Sequence, residues 1–269
     1  AEDALALVEV EWEILPHVLD PIESLKPGAP PAIEEINKKN NIIRKVKIEE
    51  GDVEKAFKES DQVIEFSIKR EPYTAAEPEP MSNVVLWRGD NVEIWAHQQQ
   101  AYDGKMLFCA KMGIPLNYVK LHIPHQGSQF GHGGNPMMHH THGLHVISAI
   151  LSKRTGRPVK TLYDRRDTFY GLSQDAEANT KFKVGFNKDG TITAVKLDTI
   201  VAKMGQYGID HFMDNTRIPN LLLNYLEAQC NIPPAWWMRC EQNHNAFCLS
   251  AVFDHVADAL EMDPVEVAL

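Results

Sequence analysis

The chain has 269 residues, 43% of them hydrophobic and 24% charged, enough apolar material for one large core or two smaller ones. A formal net charge of −10 argues against a nucleic-acid surface, which needs clustered Lys and Arg. The longest apolar runs, such as Val146 to Leu151, fall far short of the roughly 20 residues a membrane span requires.

No basic stretch followed by an apolar one opens the sequence, so no export signal is visible. The four cysteines, Cys109, Cys230, Cys240 and Cys248, form no CxxC pair and no zinc or iron–sulfur spacing. The expectation is a cytoplasmic protein with reduced, mostly buried thiols.

In chain order, residues 1–7 carry a helical pattern, and Val8 to Ile14 alternates apolar and acidic as a half-buried strand does. A helix and one strand cannot bury themselves. These residues are therefore expected to close a domain whose body lies on another chain. From Pro16 to Asn41 the chain is rich in Pro, Gly, Glu and Lys, and is expected to be a long surface connection. The basic run from Lys38 to Lys47 is expected as solvated loop. Residues 1–50 are thus assigned to the tail of a preceding domain plus a connection, and 51–269 to the domain that follows.

From Gly51 the pattern becomes dense. Asp52 is placed to cap a short helix ending near Ser60, and Gln62 to Ile68 is a strand. Arg88-Gly89-Asp90 turns a hairpin between strands at 83–87 and 91–96. Residues 102–112 have helical spacing ending at Gly113, and Val119 to Ile123 is a strand leading into a loop bearing Gly127, Gly131, Gly133 and Gly134. Pro136 is expected to open a helix to about Arg154, followed by a strand at 159–163. Phe182, Val184 and Phe186 alternate before Asn187-Lys188-Asp189-Gly190 turns a second hairpin into residues 191–201. An amphipathic helix over 245–261 closes the pattern. Paired strands with interspersed helices indicate an α+β fold with mixed sheets rather than a doubly wound one.

Four features could carry chemistry. A strand, then Gly127-Ser128-Gln129-Phe130-Gly131-His132-Gly133-Gly134, then a helix would present backbone N–H groups to an anion, though it fits neither GxGxxG nor a P-loop. His139, His142 and His145 have spacings that could hold zinc. No carboxylate or cysteine joins them in sequence, so hydrogen-bonded histidines lining a pocket or interface are the expectation. The run Gln98-Gln99-Gln100 offers uncharged donors and acceptors suited to a polar cofactor edge, but such a run is also ordinary surface. Pro233 to Cys240 sets Trp236, Trp237 and Arg239 beside a proline turn, a planar-ligand pocket or a packed corner. No nucleophile elbow or Ser-His-Asp signature is present.

Taken in order, the pieces resemble the molybdopterin-binding subunit of the xanthine dehydrogenase and aldehyde oxidase family. The likeness runs through residues 4–16, 51–57, Glu77-Pro78, Ile94-Trp95 with Gln99, and Gly113-Ile114-Pro115. It continues through the loop at 127–133, which is similar to the family's Gly-Gly-Gly-Phe-Gly-Gly-Lys, then Gly156 to Lys160, Arg165-Arg166-Asp167 and Asp189 to Ile192. Ile218-Pro219-Asn220, Met238-Arg239 and Met262-Asp263-Pro264 complete it.

The resemblance implies the first molybdopterin-binding domain of a heteromeric molybdenum enzyme that adds a water-derived hydroxyl to a carbon centre. Its metal is held by the pterin dithiolene and by no side chain. Gln99 would hydrogen-bond a molybdenum ligand, the backbone at Phe130 and Gly131 would face the metal centre, and Met238 and Arg239 would border the cofactor. His132, Gly134 and Glu241 would line the substrate pocket. No catalytic residue is expected in this chain, because the base glutamate belongs to a second molybdopterin-domain chain. The cofactor would be a molybdopterin dinucleotide, with iron–sulfur clusters and FAD on partner subunits and a small molecule as substrate.

The sequence departs from the family around the site, where histidines also take up space normally given to small or apolar residues. Gly133 and Gly134 stand where Lys and often an acid follow, and Arg239-Cys240-Glu241-Gln242 replaces Arg-Gly-Phe-Gly. Two other readings follow from this unusual pocket, hydration of an activated double bond and a non-catalytic structural subunit.

Overall fold

A computed structural model of the chain describes residues 2–33, 40–74, 76–127, 141–171, 175–202, 217–232 and 242–269. Its strands, in chain order, are β1 (Ile42–Glu50), β2 (Gln62–Arg70), β3 (Ser82–Arg88), β4 (Asn91–Ala96), β5 (Val119–His122), β6 (Val159–Leu162), β7 (Ala178–Phe186), β8 (Ile192–Ala202) and β9 (Leu221–Ala228). The helices are α1 (Glu2–Leu5), α2 (Pro21–Ser24), α3 (Val53–Glu59), α4 (Ala101–Met112), α5 (Thr141–Thr155), α6 (Arg165–Gly171), α7 (Gln242–Leu260) and α8 (Pro264–Ala268).

Two mixed sheets result, as the α+β expectation requires. One has the order β1-β9-β8-β7-β2, antiparallel except for the parallel β8/β9 pair. Period-two alternation puts Phe182, Val184, Phe186, Leu221, Leu223 and Tyr225 on one face, where α7 covers them with Cys248, Val252 and Val256. Phe66 and Phe182 stack there at 4.4 Å. Each such side chain contributes about 1.5–3 kcal/mol when fully buried.

The other sheet has the order β5-β4-β3-β6. The β3/β4 hairpin, turned at Gly89-Asp90 as its sequence indicates, buries Val85, Val92 and Ile94 against Phe108 of α4 and Ala149 of α5. β4 and β5 run parallel, joined through α4, so the loops after both strands leave the same edge side by side.

The two segments by which the chain crosses between the sheets are tied to each other at their five-stranded ends. Arg70 donates through both terminal nitrogens to the buried Asp175 at 3.3 and 3.2 Å and to the Ala176 carbonyl at 2.9 Å. The Asp175 backbone in turn donates to the Tyr73 carbonyl at 2.7 Å. Removing one partner of so buried an ion pair costs several kcal/mol.

Several expectations need correction. Val8 to Ile14 joins neither sheet, and Val8, Val10, Trp12 and Ile14 are exposed, because among the described residues no strand edge lies alongside to pair with them. The helical pattern at the start is confined to α1. The basic run expected as loop ends in β1, an edge strand whose Arg44, Val46 and Ile48 are half-buried while Lys45 and Lys47 face water. The segment from Pro16 to Asn41 is not a free connection where described. Asp20 caps α2, Ser24 Oγ donates to the Gln229 carbonyl at 2.5 Å, and the Asn41 amide donates to the carbonyls of Ser24 and Pro30 at 3.0 Å. β9, α6 and α8 have no counterpart among the expected elements. The helix expected from Pro136 is described from Thr141. Cys109, Cys230 and Cys248 are buried free thiols, and Cys240 lies outside the described residues.

Candidate functional site

Because β4 and β5 are parallel neighbours, residues 97–100 and 123–127 emerge together beyond their carboxyl ends, the usual place for a ligand crevice in such a unit. Side-chain bonds fix the two loops to each other. The Gln98 backbone N–H donates to Gln126 Oε1 at 2.9 Å, and Gln126 Nε2 donates back to the Gln98 carbonyl at 3.2 Å. A primary amide has one donor and one acceptor edge, so it can satisfy both backbone groups of a residue in another segment.

Three consecutive glutamines therefore do different things. Gln98 is buried, its Nε2 reaching the Gln100 carbonyl at 3.3 Å, and it lies directly over Gly104 of α4. A Cβ at Gly104 would come within 2.9 Å of Gln98 Nε2, so glycine is what admits the amide. Gln99, the residue between Gln98 and Gln100, is solvent-exposed.

A third segment closes the root of the glycine loop. The Glu79 carboxylate accepts a hydrogen bond from the Gly127 backbone N–H and lies 3.6 Å from Nε2 of the buried His97. The other ring nitrogen of His97 is 2.9 Å from Met81 Sδ. Beneath, Trp95 stacks on His122 at 4.9 Å, and His122 Nε2 meets Glu93 at 3.0 Å. A cavity of about 210 Å³ opens here, with Glu79, Ser82, Trp95, His97, Gln126 and Lys160 among its lining. A larger cavity of about 760 Å³ is lined only by α2 and the five-stranded sheet, including Lys45, Lys69 and Lys181, and shares no residue with these loops.

Of the residues singled out by sequence, Gln99 and the root of the loop at Gln126 and Gly127 are brought together here. Phe130, Gly131, His132, Gly134, Met238, Arg239 and Glu241 lie outside the described residues, as do His139 and His140. The chain enters α7 directly after the segment carrying Met238 and Arg239. His145 is buried on α5, and no group of three or more His, Cys, Asp and Glu side chains able to hold a metal is found among the described residues.

In the first turns of α7, His244 lies 3.4 Å from Thr180 Oγ1 and 3.5 Å from Cys248 Sγ. Burial, and then the Arg70 charge, push the imidazole down to about 3, while burial pushes the Cys248 thiol up to about 12. Both are neutral at physiological pH, and the pair is structural rather than nucleophilic.

Glu79, His97 and the bonding role of Gln126 escape sequence reasoning. The only local signal is acid–proline alternation over Glu77-Pro78-Glu79-Pro80, which holds a carboxylate on extended backbone without saying what it meets.

A family model described as "Molybdopterin cofactor-binding domain" matches residues 33–269. The chain is 25% identical over 281 residues to a probable xanthine dehydrogenase subunit of Bacillus subtilis (strain 168), covering 99% of this chain and 36% of that one. It is 25% identical over 199 residues to aldehyde oxidase 3 of Mus musculus, covering 70% of this chain and 14% of that protein. Its fold superposes on quinoline 2-oxidoreductase from Pseudomonas putida 86 with a TM-score of 0.86 at 20% identity, covering 99% of this chain and 35% of that one. The chain thus spans about a third or less of the length of these relatives. Among the described residues, no helix is long and apolar enough to cross a membrane.

Proposed function

Because this chain belongs to the molybdopterin cofactor-binding domain family, of the xanthine dehydrogenase and aldehyde oxidase type, we propose that it supplies one wall of a molybdenum hydroxylase active site. The observation that carries this is the presentation of Gln99. An exposed carboxamide stands at the end of β4, next to a residue whose two backbone groups are both held by the root of the glycine loop.

The donor chemistry fits the group. An anionic dithiolene complex with oxygen ligands is best met by neutral amides and backbone N–H groups, and the Glu79 carboxylate is turned onto the Gly127 N–H. In this reading Gln99 hydrogen-bonds a molybdenum ligand, and the backbone at Phe130 and Gly131 faces the metal. Met238 and Arg239 border the cofactor, and His132, Gly134 and Glu241 shape the substrate pocket. When bound, the cofactor supplies two-electron oxidation using oxygen derived from water. The chain's own part is to orient it and exclude water around it.

The finer assignments follow the same reading. The cofactor is a dinucleotide form, and a second molybdopterin-domain chain brings the base glutamate. Iron–sulfur and FAD subunits take the electrons, and the substrate is a small molecule. Residues 1–50 are the tail of a preceding domain and a connection, with β1 at its end completing the sheet of the domain over 51–269.

The test is to purify the native complex, measure its molybdenum, and replace Gln99 with Ala. Molybdenum should co-purify, and Gln99→Ala should cut turnover by about 100-fold, the scale of losing one oriented donor at a reacting centre. A complex without molybdenum refutes the assignment. Hydration of a substrate with no acceptor reduced refutes the hydroxylase part.

A further inference from the structure

We propose that Glu79 is a positioning residue that sets the root of the glycine loop, at Gln126 and Gly127, beside the segment that carries Gln99. What the loop carries rests on the cofactor assignment above, whereas the clamp stands on this chain's own geometry.

Three segments distant in sequence meet at this point. Gln126 is committed to residue 98, because its amide answers both the N–H and the carbonyl of Gln98. Gly127 is committed to residue 79, because its N–H goes to the Glu79 carboxylate. Two consecutive residues are thus each bonded to a different neighbouring segment, which fixes the peptide plane by which the chain enters Gly127. Bonding at residue 126 alone would leave the following backbone free to rotate about its dihedrals.

The contact is also shaped to one residue type. A Cβ on Gly127 would fall 2.9 Å from Glu79 Cβ and 3.2 Å from its Oε2. Gly127 has no positive φ among the backbone exceptions, so close approach to Glu79, rather than an unusual dihedral, is what calls for glycine here.

Glu79 also lies beside the segment that carries Gln99. It comes from the proline-flanked connection ahead of β3, and its Oε2 lies 3.6 Å from His97 Nε2, whose ring is buried and touches Met81 on its other side. His97 is the first residue after β4, two before Gln99. The carboxylate therefore links the base of the Gln99 segment to the base of the glycine loop. A hydrogen bond from a backbone N–H to a charged acceptor is one of the stronger kinds available to a half-exposed loop.

The experiment uses the native complex carrying wild-type chain, Glu79→Ala or Glu79→Gln. Three readouts apply: amide hydrogen exchange of the peptide containing Gly127, molybdenum retained after dialysis, and the thermal midpoint. Glu79→Ala should speed Gly127 exchange by about tenfold, the factor expected for one charge-assisted bond discounted for exposure. Molybdenum retention should fall several-fold and the midpoint should barely move. Glu79→Gln keeps an acceptor of the same length and should restore most of both losses.

Unchanged exchange in Glu79→Ala overturns the clamp. Faster exchange with full molybdenum retention overturns its role in holding the cofactor. Equal losses in both variants with a lowered midpoint show a general packing role and overturn the positioning one. If the wild-type complex itself holds no molybdenum, the cofactor assignment fails while the exchange comparison still decides the clamp.

Discussion

The five-stranded and four-stranded sheets are both built from alternating strands, but they finish differently. In the five-stranded sheet, side chains such as Phe186, Val195, Leu223 and Val256 are wholly buried. The β7/β8 hairpin closes on itself through the turn at Asn187 to Gly190. In the four-stranded sheet the apolar core is smaller, and the parallel pair β4/β5 ends in loops that bury His97 and Gln98. Polar groups kept out of water need partners, and here the partners come from other segments. One sheet concentrates cohesion, and the other carries the described part of the site. A polar constellation of this kind can persist because a separate apolar core offsets its cost.

The largest effect that bears on this division comes from matched core truncations. Phe186 and Phe108 are both fully buried, one in each sheet's core. Phe→Ala at either position should cost about 3–5 kcal/mol, measured by urea denaturation. The consequences should then part. Phe186→Ala should lower stability while the molybdenum held per folded molecule stays at the wild-type level. Phe108→Ala should lower both, because Phe108 anchors α4, whose first residue Ala101 follows Gln99 by two. Equal loss of molybdenum at matched folded fraction would erase the division.

What could be read from the sequence follows the same division between local and distant causes. Both hairpins were legible because their turns, Gly89-Asp90 and Asn187 to Gly190, carry their own backbone chemistry between period-two runs. The Asp52 cap was legible for the same reason, and its carboxylate accepts from the Lys55 N–H at 3.0 Å. β1 was not, because an edge strand keeps lysines on its solvent face and so resembles a charged loop. β9 pairs in parallel with β8 and antiparallel with β1, 26 or more residues away, and nothing local marks either pairing. Val8 to Ile14 shows the converse, a strand pattern with no strand edge beside it.

At the site, Gln99 came from the family resemblance rather than from the glutamine run alone. The bonds that hold its neighbour, Gln98 to Gln126 and Glu79 to Gly127, span 28 and 48 residues and leave no trace in spacing.

A second test probes the cohesive sheet through pH. His244 belongs to that sheet's core, and burial there lowers its pKa from 6.5 to about 3. A depressed imidazole pKa means the unfolded chain binds a proton that the folded chain refuses. The stabilisation is therefore complete above pH 6.5 and is lost as pH falls toward 3. The slope is about 1.4 kcal/mol per pH unit for this one group. Between pH 6.5 and 5.5, above the range where most carboxylates titrate, this group should lower the stability of the wild-type chain by about 1 kcal/mol, because the slope is only half developed at the unfolded pKa. His244→Phe keeps a ring in the space and should flatten the slope. An unchanged slope would place the acid sensitivity elsewhere and weaken the assignment of His244 as a neutral core residue.

The smallest expected change in stability comes from one of a pair of glycines, and the pair discriminates most finely. In α4, Gly104→Ala should gain about 1 kcal/mol from helix propensity. It should lose about 1–3 kcal/mol from overpacking. The new Cβ falls 2.9 Å from Gln98 Nε2 and 3.0 Å from its Cδ, atoms at the end of a side chain that can shift. The net change in midpoint is therefore small, but the shift displaces Gln98, whose backbone is the partner of Gln126. Molybdenum retention should fall although the protein stays folded.

Gly185 in β7 offers the opposite case. A Cβ there meets Ser60 Oγ at 2.5 Å and Phe57 Cδ1 and Thr193 Oγ1 at 3.1 Å, a wall of packed side chains from α3 and β8. None of the three atoms nearest that Cβ belongs to a site segment, so Gly185→Ala should lower the midpoint and leave molybdenum per folded molecule alone. If both variants moved stability and cofactor together, cohesion and site would be one structure rather than two. If they separate as the geometry indicates, Gln98 is the point at which packing in α4 becomes the placement of Gln99.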